Sequence, residues 1–163
     1  MSNKARNDKG SILIDVENLL DVFEPCFMRM PKIRRIHGAA VRMEDAAYDL
    51  INYYHIAYEM TGPDEVCEKR HYITQMIGAY GRMQSCFKRL MKVDIDTQKR
   101  SNPENKGEMS LFSDTAKLAI AQSMERIEEG VRKWRSSVKL SRIVSTGRSA
   151  PQEARGSVSE FRE

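Results

Sequence analysis

The side chains best equipped for chemistry are the histidines, the cysteines and a few carboxylates, and their spacing decides which reactions they can support. Glu68 and His71 form a Glu-x-x-His, the spacing that puts two metal ligands on one helical face. A di-iron bundle needs that pair twice, plus a glutamate from each of two other helices. Here it occurs once, because the matching position before His55 is Asn52. The pair therefore reads as a surface Glu–His pair, with a metal-dependent bundle enzyme as a competing reading. His37 follows Arg34 and Arg35 and belongs to a basic surface rather than to a general base. Cys26, Cys67 and Cys86 are odd in number, far apart and in no CxxC pair. That usage suits a reducing compartment, with cysteine as small apolar filler rather than a disulfide framework or a zinc ligand. The sequence holds no glycine-rich phosphate loop, no nucleophile elbow and no Cys/His dyad. The expectation is a non-catalytic, cytoplasmic protein with no cofactor and no bound metal.

The basic residues carry the stronger signal. The formal net charge is only +4, but the charges are segregated along the chain. Residues 25–43 contain Arg29, Lys32, Arg34, Arg35 and Arg42 and no acid. Residues 44–68 contain Glu44, Asp45, Asp49, Glu59, Asp64, Glu65 and Glu68 and no base. Residues 130–152 are basic again, with Arg132, Lys133, Arg135, Lys139, Arg142 and Arg148. Such segregation presents fields of opposite sign on different surfaces. Cations at a helix C-terminus are favoured by the helix dipole, which gives the last cluster a structural explanation. Positive charge at a helix start opposes the dipole, so phosphate neutralisation is the physical reason to keep Lys32, Arg34 and Arg35 there. The nucleic-acid-binding candidates are Arg29, Lys32, Arg34, Arg35, Arg42, Arg132, Lys133, Arg135 and Lys139.

The elements that must position these groups are helices. The chain has 163 residues, 40% of them hydrophobic and 31% charged, which suits one folded domain with a well-solvated surface. No stretch approaches the roughly 20 apolar residues of a membrane span. Apolar residues recur at helical spacing in four places and nowhere alternate as in a strand. The first stripe is Ile12, Val16, Leu19, Phe23, Phe27 and Met30, with Pro25 expected to kink or interrupt it and Pro31 to end it. The second is Ile36, Ala40, Met43, Ala47, Leu50, Tyr54 and Ala57, closed by Gly62-Pro63. The third starts near Asp64 as a cap and runs through Val66, Ile73, Met76 (or Ile77), Tyr80, Met83, Phe87 and Leu90, with Gly78 and Gly81 read as points of close helix approach. The fourth, capped by Ser113 or Asp114, carries Ala116, Ile120, Met124, Ile127, Val131, Trp134 and Val138. Most of the ten methionines fall on these stripes, so packing filler is their default role. Tyr48, Tyr53 and Tyr58 lie off the second stripe, as wet rims of the core or as anchors of a subunit interface.

The predicted fold class is all-α: an antiparallel, up-down-up-down four-helix bundle over residues 11–140. A polar leader occupies 1–10, a long loop 94–112, and a disordered tail 141–163.

One stretch is familiar. Phe23-Glu-Pro25-Cys-Phe-Met-Arg-Met-Pro31-Lys-Ile-Arg-Arg-Ile-His-Gly38, followed by an amphipathic helix, resembles the accessory variability determinant of diversity-generating retroelements. That family is related to the four-helix proteins encoded in ribosomal RNA intervening sequences. Residues 127–138, with the single Trp134, resemble the family's last helix. The resemblance implies a ring-like homopentamer of four-helix bundles that binds the element's reverse transcriptase and template RNA and supports mutagenic cDNA synthesis. On the matched positions it implies nucleic-acid contacts at Lys32, Arg34 and Arg35, and architectural roles for Pro25, Pro31, Gly38 and Trp134. A generic four-helix interaction module of the intervening-sequence type, without a polymerase partner, is the competing reading.

Overall fold

The chain folds into four helices, and no strand occurs among the described residues. The structure, a computed structural model, describes the backbone of residues 8–100 and 110–160 and the side chains of residues 11–94, 96 and 110–138. In chain order the elements are α1 (Asp8–Arg29), α2 (Arg34–Glu59), a short 3₁₀ turn (Pro63–Glu65), α3 (Val66–Arg100) and α4 (Asp114–Glu160).

The apolar stripes account for the packing. Ile12, Val16, Leu19 and Phe23 of α1 and Met30 just beyond its end are buried, as is every stripe residue of α2 and α4. On α3, Ile73, Met76, Tyr80, Met83 and Leu90 are buried, while Val66 and Phe87 pack from the edge. All belong to one core. Fully burying a large aliphatic or aromatic side chain contributes about 1.5–3 kcal/mol, so this shared core is the main source of stability. The most extensive pairing is α2 with α3. Ala39, Ala40, Ala46, Ala47 and Ala57 are buried on α2, and such small side chains let neighbouring backbones approach.

Local signals set the helix ends. Ser113 caps α4, its Oγ accepting the Ala116 amide at 3.1 Å. The Glu65 carboxylate accepts the Gly62 amide at 3.0 Å, so Glu65 rather than Asp64 organises the turn into α3. Pro25 does not interrupt α1. Its ring is exposed, and the burial of Phe23, Cys26 and Met30 on either side holds the helix across it.

Several boundaries differ from the sequence-based expectation. Helix α1 takes in residues 8–10 of the expected leader, and residues 1–7 lie outside the described residues. The loop expected over 94–112 does not begin at Asp94, because α3 continues to Arg100; residues 101–109 lie outside the described residues. The reason is Asp94 itself, which is fully buried and held. It accepts the Leu111 amide at 2.7 Å and pairs with Lys117 Nζ at 3.0 Å. The expected tail from 141 is helical to Glu160, where α4 ends, and residues 161–163 lie outside the described residues.

Gly78 and Gly81 are not points of close helix approach. A Cβ at Gly81 would meet nothing within 4 Å, and one at Gly78 would meet only Arg82 Nη1 at 3.9 Å. Gly81→Ala is therefore expected to stabilise the protein by about 0.5–1 kcal/mol, read as a higher urea midpoint at unchanged slope.

The Tyr80 hydroxyl donates to Glu128 at 3.1 Å and ties α3 to α4. Burial first, and then the Glu128 hydrogen bond, push the phenol up to about 12. An unfolded tyrosine titrates near 10. Between about pH 10 and about pH 12 the native state thus keeps a proton that the unfolded chain has lost, and stability falls as pH rises through that window. Tyr80→Phe is expected to flatten this decline, as measured by urea midpoints across the same range.

Candidate nucleic-acid interface

The junction of α1 and α2 gathers four of the expected basic residues. Arg29 sits in the last turn of α1, Lys32 in the extended link, and Arg34 and Arg35 in the first turn of α2; all four are exposed. Arg29 Nε donates to the Pro25 carbonyl at 3.2 Å, which leaves its charge uncompensated. No carboxylate pairs with any of the four among the described residues. Helix α2 has no acid in its first turn and no side-chain cap, since its N-cap is Ile33. Free N–H groups and guanidinium groups therefore face the same end of α2, and both favour an anion.

Apolar groups interleave with these cations. Met28 is 84% exposed and Ile33 56% exposed. The His37 ring stacks on Phe27, with centroids 5.5 Å apart and planes inclined at 22°. His37 is exposed, so the sequence placed it correctly on the basic surface but gave no sign of the stack.

Arg42 stands apart. It lines a shallow groove between α2 and α3 with Asp45, Asp49, Arg82 and Arg89. Arg82 Nη2 pairs with Asp49 at 3.1 Å. Sequence reasoning missed Arg82 and Arg89, although their seven-residue spacing places both on one face of α3. The acids of α2 are also partly engaged within the chain. Asp49 is paired with Arg82, and Glu24 of α1 faces the same helix, accepting from the Tyr48 hydroxyl at 2.8 Å. Burial raises the Glu44 carboxyl above its ordinary range, with Glu24 and Asp45 adding to the shift.

The cluster on α4 is a different environment. Arg132 Nη2 lies 2.9 Å from Glu128 and Lys133 Nζ 3.0 Å from Glu129, each one turn back along the helix. These cations, unopposed within residues 130–152, are thus partly neutralised by the preceding turn. Nor are they at a helix C-terminus, because α4 runs on to Glu160; the dipole explanation does not apply. Arg135 is half-buried, and the side chain of Lys139 lies outside the described residues. Trp134, between them, contacts Tyr54 edge-on at 5.6 Å and has Lys69 Nζ 5.8 Å from its ring centroid. Tyr54 lies roughly 30 Å along α2 from Arg34 at 1.5 Å per residue, so the α4 cluster and the α1–α2 junction do not form one surface.

No family model matches the chain, and neither does any curated protein or solved structure.

The remaining chemical candidates lie apart from one another. His71 packs edge-on against Tyr72 at 5.5 Å, and no group of three or more His, Cys, Asp or Glu side chains is placed to hold a metal among the described residues. Cys26 and Cys86 are buried, Cys67 is exposed, and all three are free. Of the off-stripe tyrosines, Tyr53 meets Tyr72 at 6.2 Å and Tyr58 stacks on Tyr54 at 5.8 Å. No helix is long and apolar enough to cross a membrane among the described residues.

Proposed function

We infer that the protein is a non-catalytic, cytoplasmic accessory protein of a diversity-generating retroelement, which binds the reverse transcriptase and template RNA and supports mutagenic cDNA synthesis without a cofactor. The observation that carries the nucleic-acid part is the α1–α2 junction, where Arg29, Lys32, Arg34 and Arg35 are exposed, with no carboxylate partner among the described residues, at an uncapped helix start. Intramolecular pairing accounts for Arg132 and Lys133 but not for these four. A polyanion supplies the missing charge and releases its own counterions in doing so. The identity of the partners rests on the resemblance around Pro25, Pro31 and Gly38.

In this reading the helices run antiparallel, up-down-up-down, and the bundle assembles into a ring-like homopentamer. Contacts between neighbouring helices support the antiparallel order. Glu24 meets Tyr48 while the later Phe27 meets the earlier His37, and Lys69 lies by Trp134 while Asp94 lies by Lys117. Light scattering coupled to size exclusion tests the assembly: about five times the 18.8 kDa protomer is expected, and a monomer overturns the ring.

The pairing of Arg132, Lys133 and Asp49 within the chain favours the second reading, an interaction module whose charges mainly solvate the bundle. The two separate on RNA affinity. The accessory-protein reading requires salt-dependent RNA binding that is lost when Lys32, Arg34 and Arg35 are reversed in sign; the interaction module binds RNA weakly at any salt concentration.

A further inference from the structure

We propose that the groove between α3 and α4 is a docking site for an amphipathic helix of a protein partner, one that carries acidic residues along one flank and basic residues along the other. The site is independent of the basic α1–α2 junction. The groove encloses about 710 Å³ and follows α3 from Tyr80 to Asp96. That stretch is roughly 24 Å long at 1.5 Å per residue, the length of a helix of four to five turns. Its floor is apolar: Phe87 and Met91 from α3, Met124 from α4. Two of these are methionines, whose flexible thioethers mould to different partner side chains. Ala121 presents only a methyl group on the α4 side, which leaves room for a partner backbone to come close.

The walls specify the occupant. Lys88 and Lys92 stand one turn apart on the α3 wall, both exposed, and neither has a carboxylate partner among the described residues; Asp96, exposed one turn further on, closes that end of the wall with a negative charge. Across the groove Glu125 is exposed and equally unpaired, while Glu128 is already engaged by Tyr80 and Arg132. Along Lys88 and Lys92 the groove has a cationic wall facing the anionic α4 wall across an apolar floor, which is complementary to a helix with three matching faces. Apolar residues at i, i+3, i+4 and i+7 would meet the floor, and charges beside them would meet each wall. A uniformly charged ligand is attracted by one wall and repelled by the other. That asymmetry selects the mixed-charge helix over nucleic acid or an anionic amphiphile.

The test uses the full chain and a fluorescein-labelled 18-residue helical peptide with leucines at that spacing, glutamates on one flank and lysines on the other. Fluorescence anisotropy is expected to show saturable binding. Ala121→Arg, a surface change that fills the groove, is expected to weaken binding at least tenfold with an unchanged thermal melt. The double variant Lys88→Glu/Lys92→Glu is expected to lose the mixed peptide and to gain affinity for a peptide with lysines on both flanks, a rescue that a purely structural role would not produce. Absence of binding to the unaltered protein, or equal binding to Ala121→Arg, would overturn the proposal. So would a fall in solution mass on Ala121→Arg, which would make a second copy of this chain the occupant.

Discussion

Reversing three charges at the α1–α2 junction should abolish RNA binding while leaving the bundle intact. In the triple variant Lys32→Glu/Arg34→Glu/Arg35→Glu, three uncompensated cations become anions at one exposed site. The expected loss of affinity is about a hundredfold or more near 0.1 M salt, equivalent to roughly 3 kcal/mol. The salt dependence should also shrink: each phosphate contact removed takes about 0.7 from the slope of log affinity against log salt for a single strand. The fold should not suffer. None of the three side chains is in the core, and glutamates at positions 34 and 35 would meet the free amides and positive dipole end of α2. Each such change contributes about 0.3–1 kcal/mol in favour of the helix, so the melting temperature should hold or rise. RNA affinity unchanged in a folded triple variant would remove the basis for the nucleic-acid reading. The matched reversal of Arg132 and Lys133 should have a smaller effect, since those charges are already paired.

The second large effect is on stability. Asp94 is fully buried and collects the Leu111 amide, the Ser110 hydroxyl at 3.5 Å and the Lys117 ammonium. It joins α3 to the start of α4 across the connection between them. Asp94→Ala should cost about 3–5 kcal/mol, because it leaves a part-buried amide and a largely buried ammonium without their acceptor. Lys117 keeps 21% of its side-chain surface, which softens the penalty and places the expectation toward the lower end. The measurement is a urea unfolding series with a double-mutant cycle to Lys117→Met. A coupling of at least about 1 kcal/mol is expected, and additive losses would mean that the ion pair contributes nothing beyond the amide contact.

How much of this was legible beforehand depended on the range of the interaction. The α2 and α4 stripes were readable because a period of three and four residues maps directly onto one helix face, and every stripe residue on those two helices is buried. The cap at Ser113 and the stop at Gly62-Pro63 were readable for the same reason: their partners lie within one turn. The exposed cations at Arg29, Lys32, Arg34 and Arg35 were visible as a run without acids, and among the described residues no carboxylate pairs with them.

Long-range contacts were not legible. Asp94 looked like the first polar residue of a loop, because its buried role depends on Leu111 and Lys117, which only folding brings near. The glycines at 78 and 81 suggested helix contacts, yet the neighbouring helices pack on other faces of α3. Arg132 and Lys133 are a different case: their partners Glu128 and Glu129 lie one turn back on the same helix, a local spacing that a window starting at residue 130 cut off. The sequence by itself determined four amphipathic helices and an uncompensated basic junction, since periodicity and charge are local properties of a chain. Only the tertiary structure decided that Arg82 neutralises Asp49, that Asp94 is locked inside, and that α3 and α4 leave between them a groove with an apolar floor, Lys88 and Lys92 on one side and Glu125 and Glu128 on the other. Those features depend on residues far apart in sequence meeting in space, and no spacing along one helix encodes them.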